Sequence, residues 1–257
     1  MVAAKYGLGP PPDHASGAAQ DHWASRQFSD QHIAALAVMV LGTGISVSAA
    51  RRHPGRWLVP FARALALLIL AGWAGEYVAD AVLGIWTVRY GLPLQLTDAV
   101  SAVAVLALWT RAATLIELAY FWSFTASFQA LLTPDLSQSF PSVFYFTYFT
   151  YHIGAVVAAS FLVFGCRLYP GPRAVWRVYA ATLGFAVVAV AGDLITGGNY
   201  MYLREKPAQS SLLSLMSPWP WYILETAVLG LILLHSVAGL TLAVRTLLRD
   251  TKRGANM

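Results

Sequence analysis

Four ionisable side chains interrupt strongly apolar stretches of this 257-residue sequence: Glu76, Asp98, His152 and Glu225. A charge near the middle of a membrane helix costs about 2.5–3.5 kcal/mol on insertion scales, so such side chains usually face a protein interior or a watery cavity. Carboxylates and a histidine in that setting can bind protons, cations or a polar solute. We therefore expect these four residues to line a cavity, although each of them can also make a purely structural hydrogen bond.

The composition shows that a membrane domain must position these residues. Hydrophobic residues make up 58% of the chain and charged residues 11%, and the mean hydropathy is +0.58, which excludes a conventional soluble enzyme. The 9 Trp, 12 Tyr and 12 Phe exclude a disordered chain. The basic residues are scattered between apolar runs, so we expect no nucleic acid as a partner. The single cysteine and the spacing of the six histidines predict no disulfide, no metal site and no cofactor.

Seven apolar segments are each close to the roughly 20 residues that a membrane-crossing helix needs. We place them at about 32–50, 57–79, 92–110, 112–132, 143–166, 174–196 and 219–245, with Pro93 opening the third. The sequence therefore predicts an all-α, polytopic membrane protein with seven transmembrane helices over residues 31–246. Residues 1–30 are predicted to form a flexible tail without a signal peptide, and residues 247–257 a basic cytoplasmic tail.

The positions of Lys and Arg predict the orientation, because these residues favour the cytoplasmic ends of membrane helices. With the N-terminus outside, twelve of the seventeen basic residues fall on the inner side: Arg51, Arg52, Arg56, Arg63, Arg111, Arg167, Arg173, Arg177, Arg245, Arg249, Lys252 and Arg253. We therefore expect an N-out/C-in, multi-pass protein of the cell membrane.

This topology gathers polar residues at the outer ends of the helices. The candidate cavity residues are Glu76, Gln95, Thr97, Asp98, Asp135, His152, Asp193, Asn199, Tyr200, Arg204 and Glu225. Some of the acids, such as Asp135 and Asp193, can instead be interfacial helix caps. Glu117 and His235 fall outside this group. The stretch from Tyr120 to Tyr151 holds twelve aromatic residues, which favours either an interfacial girdle or a channel for an acyl chain.

An ordered series of motifs resembles the bacterial YwaF-like integral membrane family from about residue 28 to residue 245. The series is Phe28-Ser29-Asp30-Gln31-His32, Glu76, Leu92-Pro93-Leu94-Gln95-Leu96-Thr97-Asp98, Gln129-Ala130-Leu131-Leu132-Thr133-Pro134-Asp135-Leu136, His152, the segment 192–207 beginning Gly192-Asp193-Leu194, and Pro218-Trp219-Pro220-Trp221-Tyr222.

That family is distantly similar to eukaryotic multi-pass proteins that act on lipid acyl chains, namely a transmembrane transacylase of ether phospholipids and the androgen-induced hydrolases of fatty-acid esters. The resemblance implies membrane lipids as partners, an acyl-chain substrate, Thr97 as nucleophile and His152 as base. Asp98, Glu76 or Asp193 would orient the histidine. Thr97 stands where many YwaF-like chains have cysteine, and the hydroxyl of a membrane threonine can instead hydrogen-bond its own helix.

Three other functions compete with lipid acyl chemistry. A proton- or cation-linked transporter, or a ligand-binding membrane protein, would use the same carboxylates without covalent chemistry. A structural partner would use its polar groups only to join helices. A retinal protein needs an intramembrane lysine for its Schiff base, and the only lysines are Lys5, Lys206 and Lys252, all outside the predicted spans. We therefore expect no retinal.

Overall fold

The computed structural model describes residues 28–136, 138–207 and 211–254, with side chains through residue 247. All regular elements in these ranges are helical. The long helices are α1 (Asp30–Arg52), α2 (Leu58–Val82), α3 (Leu96–Thr110), α4 (Ala113–Leu132), α5 (Val143–Gly165), α6 (Ala174–Thr196) and α7 (Trp221–Gly254). One π-helical turn lies within α4 and another ends α5.

Six of these helices are long and apolar enough to cross a membrane: α1, α2, α4, α5, α6 and α7. The protein is therefore a multi-pass, all-helical membrane protein. Helix α3 has 15 residues, a length of about 22 Å that is shorter than the hydrocarbon core of a bilayer. A seventh crossing and the N-out orientation stay predictions.

Two segment boundaries differ from the sequence-based expectation. Pro93 does not open α3, because residues 92–95 form a turn and the helix begins at Leu96 with Gln95 as its N-cap residue. Helix α7 extends to Gly254 and includes most of the predicted C-terminal tail. The predicted N-terminal tail lies outside the described residues except for its last three.

Helix α5 is the centre of the bundle, with 83% of its apolar window buried, against 11% for α7. It packs against α1, α2, α3 and α4. Its closest contact is with α2, where glycines allow the two backbones to approach. A Cβ atom added at Gly72 would lie 2.9 Å from Cγ2 of Thr150, and one added at Gly154 would lie 2.6 Å from Cγ1 of Ile69. Helices α6 and α7 pack on the outside of α4.

Candidate functional site

A cavity of about 700 Å³ opens at the end of the bundle where α2, α4 and α6 end. The lining residues come from α2 to α7 and from the segment after α6. The structure brings most of the predicted cavity residues to this wall: Glu76, Gln95, Thr97, Asp98, Asp135, His152, Asn199 and Tyr200. The end of the cavity that holds these residues is called the polar chamber below.

Asp98 is held on this wall by donors from two helices. Its Oδ1 atom accepts hydrogen bonds from Nε1 of Trp73 and from the hydroxyl of Tyr77, each at 2.9 Å. Its Oδ2 atom accepts from the backbone N–H of Gln95 at 3.1 Å, which closes the first turn of α3. These contacts fix the carboxylate beside Thr97 and tie α3 to α2.

His152 lines the polar chamber, with 1% of its surface exposed. The rings of Tyr148 and Tyr151 contact its imidazole, with centroids 4.2 and 4.3 Å away. Its Nδ1 atom lies 2.9 Å from the carbonyl oxygen of Tyr148. Because a carbonyl can only accept, Nδ1 carries the proton, and Nε2 of the neutral ring carries the lone pair that a general base needs.

Thr97 is in the first turn of α3 and lines the same chamber. Its backbone carbonyl accepts from the hydroxyl of Ser101 at 2.9 Å. No hydrogen bond joins the Thr97 hydroxyl to His152 in the part of the chain that the structure describes. Nucleophile–base contacts are often loose in structures without substrate and tighten when substrate binds, so the shared chamber wall is the observation that relates these two residues.

Residues 197–207, called the strap below, cross the cavity between α6 and α7. The N–H of Met201 donates to the side-chain oxygen of Gln95 at 2.8 Å, and the Tyr202 hydroxyl donates to Asp135 at 2.5 Å. Both strap residues have positive φ values, 54° and 55°, which an L-residue adopts at a cost in free energy. Contacts with α3 and with the α4–α5 connection hold this conformation over the chamber.

Burial at the chamber mouth shifts the pKa values of the strap residue Tyr202 and of its partner Asp135. Asp135 is accessible from the cavity, yet the surrounding protein removes enough water to raise the pKa of its carboxyl, and the Tyr202 hydrogen bond only partly opposes this shift. Burial, followed by the nearby Asp135 charge, raises the pKa of Tyr202 far above its ordinary value. Tyr202 therefore stays a neutral donor at physiological pH.

Three predicted residues are not on the cavity wall: Asp193, Arg204 and Glu225. Asp193 accepts from the backbone N–H of Tyr200 at 2.6 Å, so it anchors the strap from behind. The N–H of Arg204 donates to the Asn199 side chain at 3.0 Å. Glu225 accepts from the backbone N–H of Ser217 at 2.9 Å. Nearby backbone N–H groups therefore hold the carboxylates of Asp193 and Glu225 away from the chamber.

The two residues that the sequence placed outside the cavity also have structural partners. Glu117 is buried and accepts from Arg177 at 2.9 and 2.6 Å and from the N–H of Gly171 at 3.0 Å. His235 contacts the carbonyl of Leu231 through Nδ1 at 2.9 Å. Neither residue lines the cavity.

Sequence reasoning missed several residues that shape the site. Trp73 and Tyr77 lie four residues apart on α2 and therefore share one helix face, a signal that could have identified them as partners of an acid. Tyr202 lies within the motif at residues 192–207, but the motif alone predicts no role for it. Among the aromatic residues of α5, Tyr148 and Tyr151 line the cavity, whereas Phe146 is 50% exposed and Tyr145 donates to the carbonyl of Gln31.

Comparison with known proteins assigns the chain to a family. No curated protein and no solved structure matches the chain. The YwaF-like label and the distant lipid-acting relatives therefore stay predictions from the motifs. A model of the TMEM164 family matches residues 27–237, which include α1 to α6, the polar chamber, the strap and half of α7. Because this match extends over most of the chain, the protein belongs to the TMEM164 family.

Proposed function

We propose that this integral membrane protein transfers or hydrolyses lipid acyl groups in the polar chamber, with Thr97 as nucleophile and His152 as general base. The observation that carries the proposal is the state of His152. The Tyr148 carbonyl fixes the proton on Nδ1, which leaves Nε2 as the basic nitrogen. His152 lines the same chamber as Thr97. A histidine held in one tautomer beside a hydroxyl is the usual means of activating a weak nucleophile.

The reaction follows the general pattern of acyl transfer. Nε2 of His152 takes the proton of the Thr97 hydroxyl as Oγ1 attacks the carbonyl carbon of a lipid ester. The ester C–O bond breaks, and the imidazolium returns the proton to the departing alcohol oxygen. The hydroxyl of a second lipid, or water, then attacks the acyl-threonine with His152 again as base, which releases the new ester or the fatty acid and restores Thr97.

The group that orients His152 differs from the acids considered from the sequence. In a triad, an acid accepts from the Nδ1–H of the histidine, but here the Tyr148 carbonyl has that position. The Asp98 carboxylate accepts hydrogen bonds from Trp73, from Tyr77 and from the N–H of Gln95. In this proposal Asp98 fixes the first turn of α3, and with it the position of Thr97.

The first test is the intact mass of the purified protein after incubation with mixed phospholipids. We expect wild type to gain the mass of an acyl chain and Thr97→Ala to gain none. Thr97→Cys should keep the adduct, because a thiol is a stronger nucleophile than a threonine hydroxyl. Thr133→Ala is the matched control, because Thr133 lines the same cavity but its hydroxyl donates to the Gln129 carbonyl at 3.1 Å.

An adduct of equal size on Thr97→Ala would overturn the assignment of the nucleophile. If wild type forms no adduct and no lipid is consumed, a proton- or cation-linked transporter becomes the better proposal. The observation that favours this second function is the group of acidic side chains on the cavity wall: Glu76, Asp80, Asp98 and Asp135. Proton-coupled uptake of solute by proteoliposomes would then support transport.

We also propose that the chamber faces the outer leaflet of the cell membrane. The support is the predicted excess of basic residues at the opposite end of the bundle. In a Cys166→Ser background on intact cells, a membrane-impermeant thiol reagent should label Arg204→Cys, in the strap, and not Arg173→Cys, before α6. Both positions are exposed, so labelling of Arg173→Cys alone would show the reverse orientation.

A further inference from the structure

The cavity continues from the polar chamber between α4, α6 and α7. This extension, called the apolar arm below, is lined by Trp122, Tyr179, Leu183, Gly230, Leu233 and Leu234. Of the aromatic residues between Tyr120 and Tyr151, Trp122 lines this arm, and Tyr148 and Tyr151 line the cavity. Along α7, cavity-lining residues extend from Tyr222 to Leu234, a distance of about 18 Å.

We propose that the apolar arm holds one acyl chain of the lipid substrate and that Tyr179 and Leu234, its deepest lining residues, set the longest chain accepted. This inference rests on the proposed function and assigns the substrate's chain to a defined place. The ester would lie in the polar chamber near Thr97 and His152, and the chain would run between α4, α6 and α7.

The arm is suited to hydrocarbon because the three threonine hydroxyls and the Trp122 indole N–H on the cavity wall here already have hydrogen-bond partners. The hydroxyls of Thr125, Thr182 and Thr226 donate to carbonyls of their own helices at 2.7–2.8 Å. Nε1 of Trp122 donates to the Thr182 hydroxyl at 2.8 Å. The arm therefore presents mainly methyl groups and rings, and an apolar chain can enter without breaking these hydrogen bonds.

The arm is expected to select acyl chains by how well they fit its walls rather than by a gain in hydrophobic free energy. An acyl chain leaves a bilayer that is as apolar as the arm, so its transfer gains little hydrophobic free energy. Packing against the walls and the available length then decide which chains bind well. A chain longer than the arm must bend or hold its ester away from Thr97, so chain length should act on turnover.

Two glycines of α7 provide a matched test of this idea. A Cβ atom added at Gly230 or at Gly239 would meet nothing within 4 Å, so both positions have room for a larger side chain. Gly230 lines the arm, whereas Gly239 does not line the cavity. A phenylalanine at position 230 can therefore shorten the arm, and the same change at position 239 controls for the effect on α7 itself.

The experiment measures turnover of saturated phosphatidylcholines of increasing chain length in proteoliposomes. We expect Gly230→Phe to lower turnover of the longest chains used by wild type about tenfold or more, since small changes of fit in an apolar pocket give discrimination of this order. Shorter chains should react as in wild type. Gly239→Phe should keep the wild-type profile, and Tyr179→Ala should extend it to longer chains. Gly230→Leu serves as a second variant if Gly230→Phe does not fold.

If folded Gly230→Phe has normal turnover and an unchanged chain-length profile, the proposed role of the arm is wrong, while the proposed function still stands. Absence of turnover by wild type at every length would overturn the proposed function, and the arm is then tested by binding alone. A phosphatidylcholine with a photoreactive group at the chain end should cross-link to residues 174–186 or 221–234 in wild type and in Gly239→Phe, but weakly in Gly230→Phe. Equal cross-linking in all three proteins would contradict the proposal that the arm holds the acyl chain.

Discussion

Replacing His152 with asparagine is expected to lower acyl turnover about a hundredfold or more, the usual range for loss of a general base. The asparagine amide can still donate to the carbonyl of Tyr148, as Nδ1 of the histidine does at 2.9 Å. It has no counterpart of the Nε2 lone pair. The variant therefore removes the proposed base while it keeps the main hydrogen bond of a buried residue, and turnover should be measured with thermal unfolding of the same preparation.

His235→Asn is the matched control for this variant. His235 also bonds through Nδ1 to the carbonyl four residues before it, at 2.9 Å, but it lies on α7 outside the cavity wall. We expect His235→Asn to keep wild-type turnover. If His152→Asn retains wild-type turnover as well, His152 is not the base, whereas a loss in both variants would indicate a general effect on helix packing.

Most helices could be predicted from the sequence because a membrane helix needs a long apolar run. The observed α6 has the predicted bounds, and α1 and α2 differ from theirs by a few residues. The start of α3 could not be predicted in this way. It depends on the Asp98 carboxylate and on the strap contact between Gln95 and Met201, residues that are 106 positions apart.

The candidate site was only partly predictable for a related reason. The sequence shows that an acid lies near a helix end, but it does not show which backbone N–H groups are close enough to donate to its carboxylate. Asp98 and Glu225 look alike in this respect. Each carboxylate accepts from a backbone N–H, Asp98 from Gln95 and Glu225 from Ser217, but of the two only Asp98 lines the chamber. Likewise, the tautomer of His152 depends on a carbonyl one turn away, which is visible only once the helix and rotamer are known.

The contact between α2 and α5 predicts a large loss of stability for Gly72→Leu. A Cβ atom at this position would lie 2.9 Å from Cγ2 of Thr150 and 3.2 Å from the backbone nitrogen of Tyr151. A backbone atom of the central helix cannot turn aside as a side chain can, so the helices must separate. Overpacking of this kind costs about 1–3 kcal/mol, and thermal unfolding in detergent would measure the loss.

Gly44→Leu is the control, because a Cβ at Gly44 of α1 would meet nothing within 4 Å and leucine favours a helix by about 0.8 kcal/mol or less relative to glycine. We expect this variant to be at least as stable as wild type, and equal loss in both variants would contradict the close α2–α5 contact. The backbone nitrogen that Gly72→Leu would displace belongs to Tyr151, the residue before His152. Any Gly72→Leu protein that still folds should therefore lose acyl turnover, because movement of α5 carries the proposed base away from Thr97 on α3.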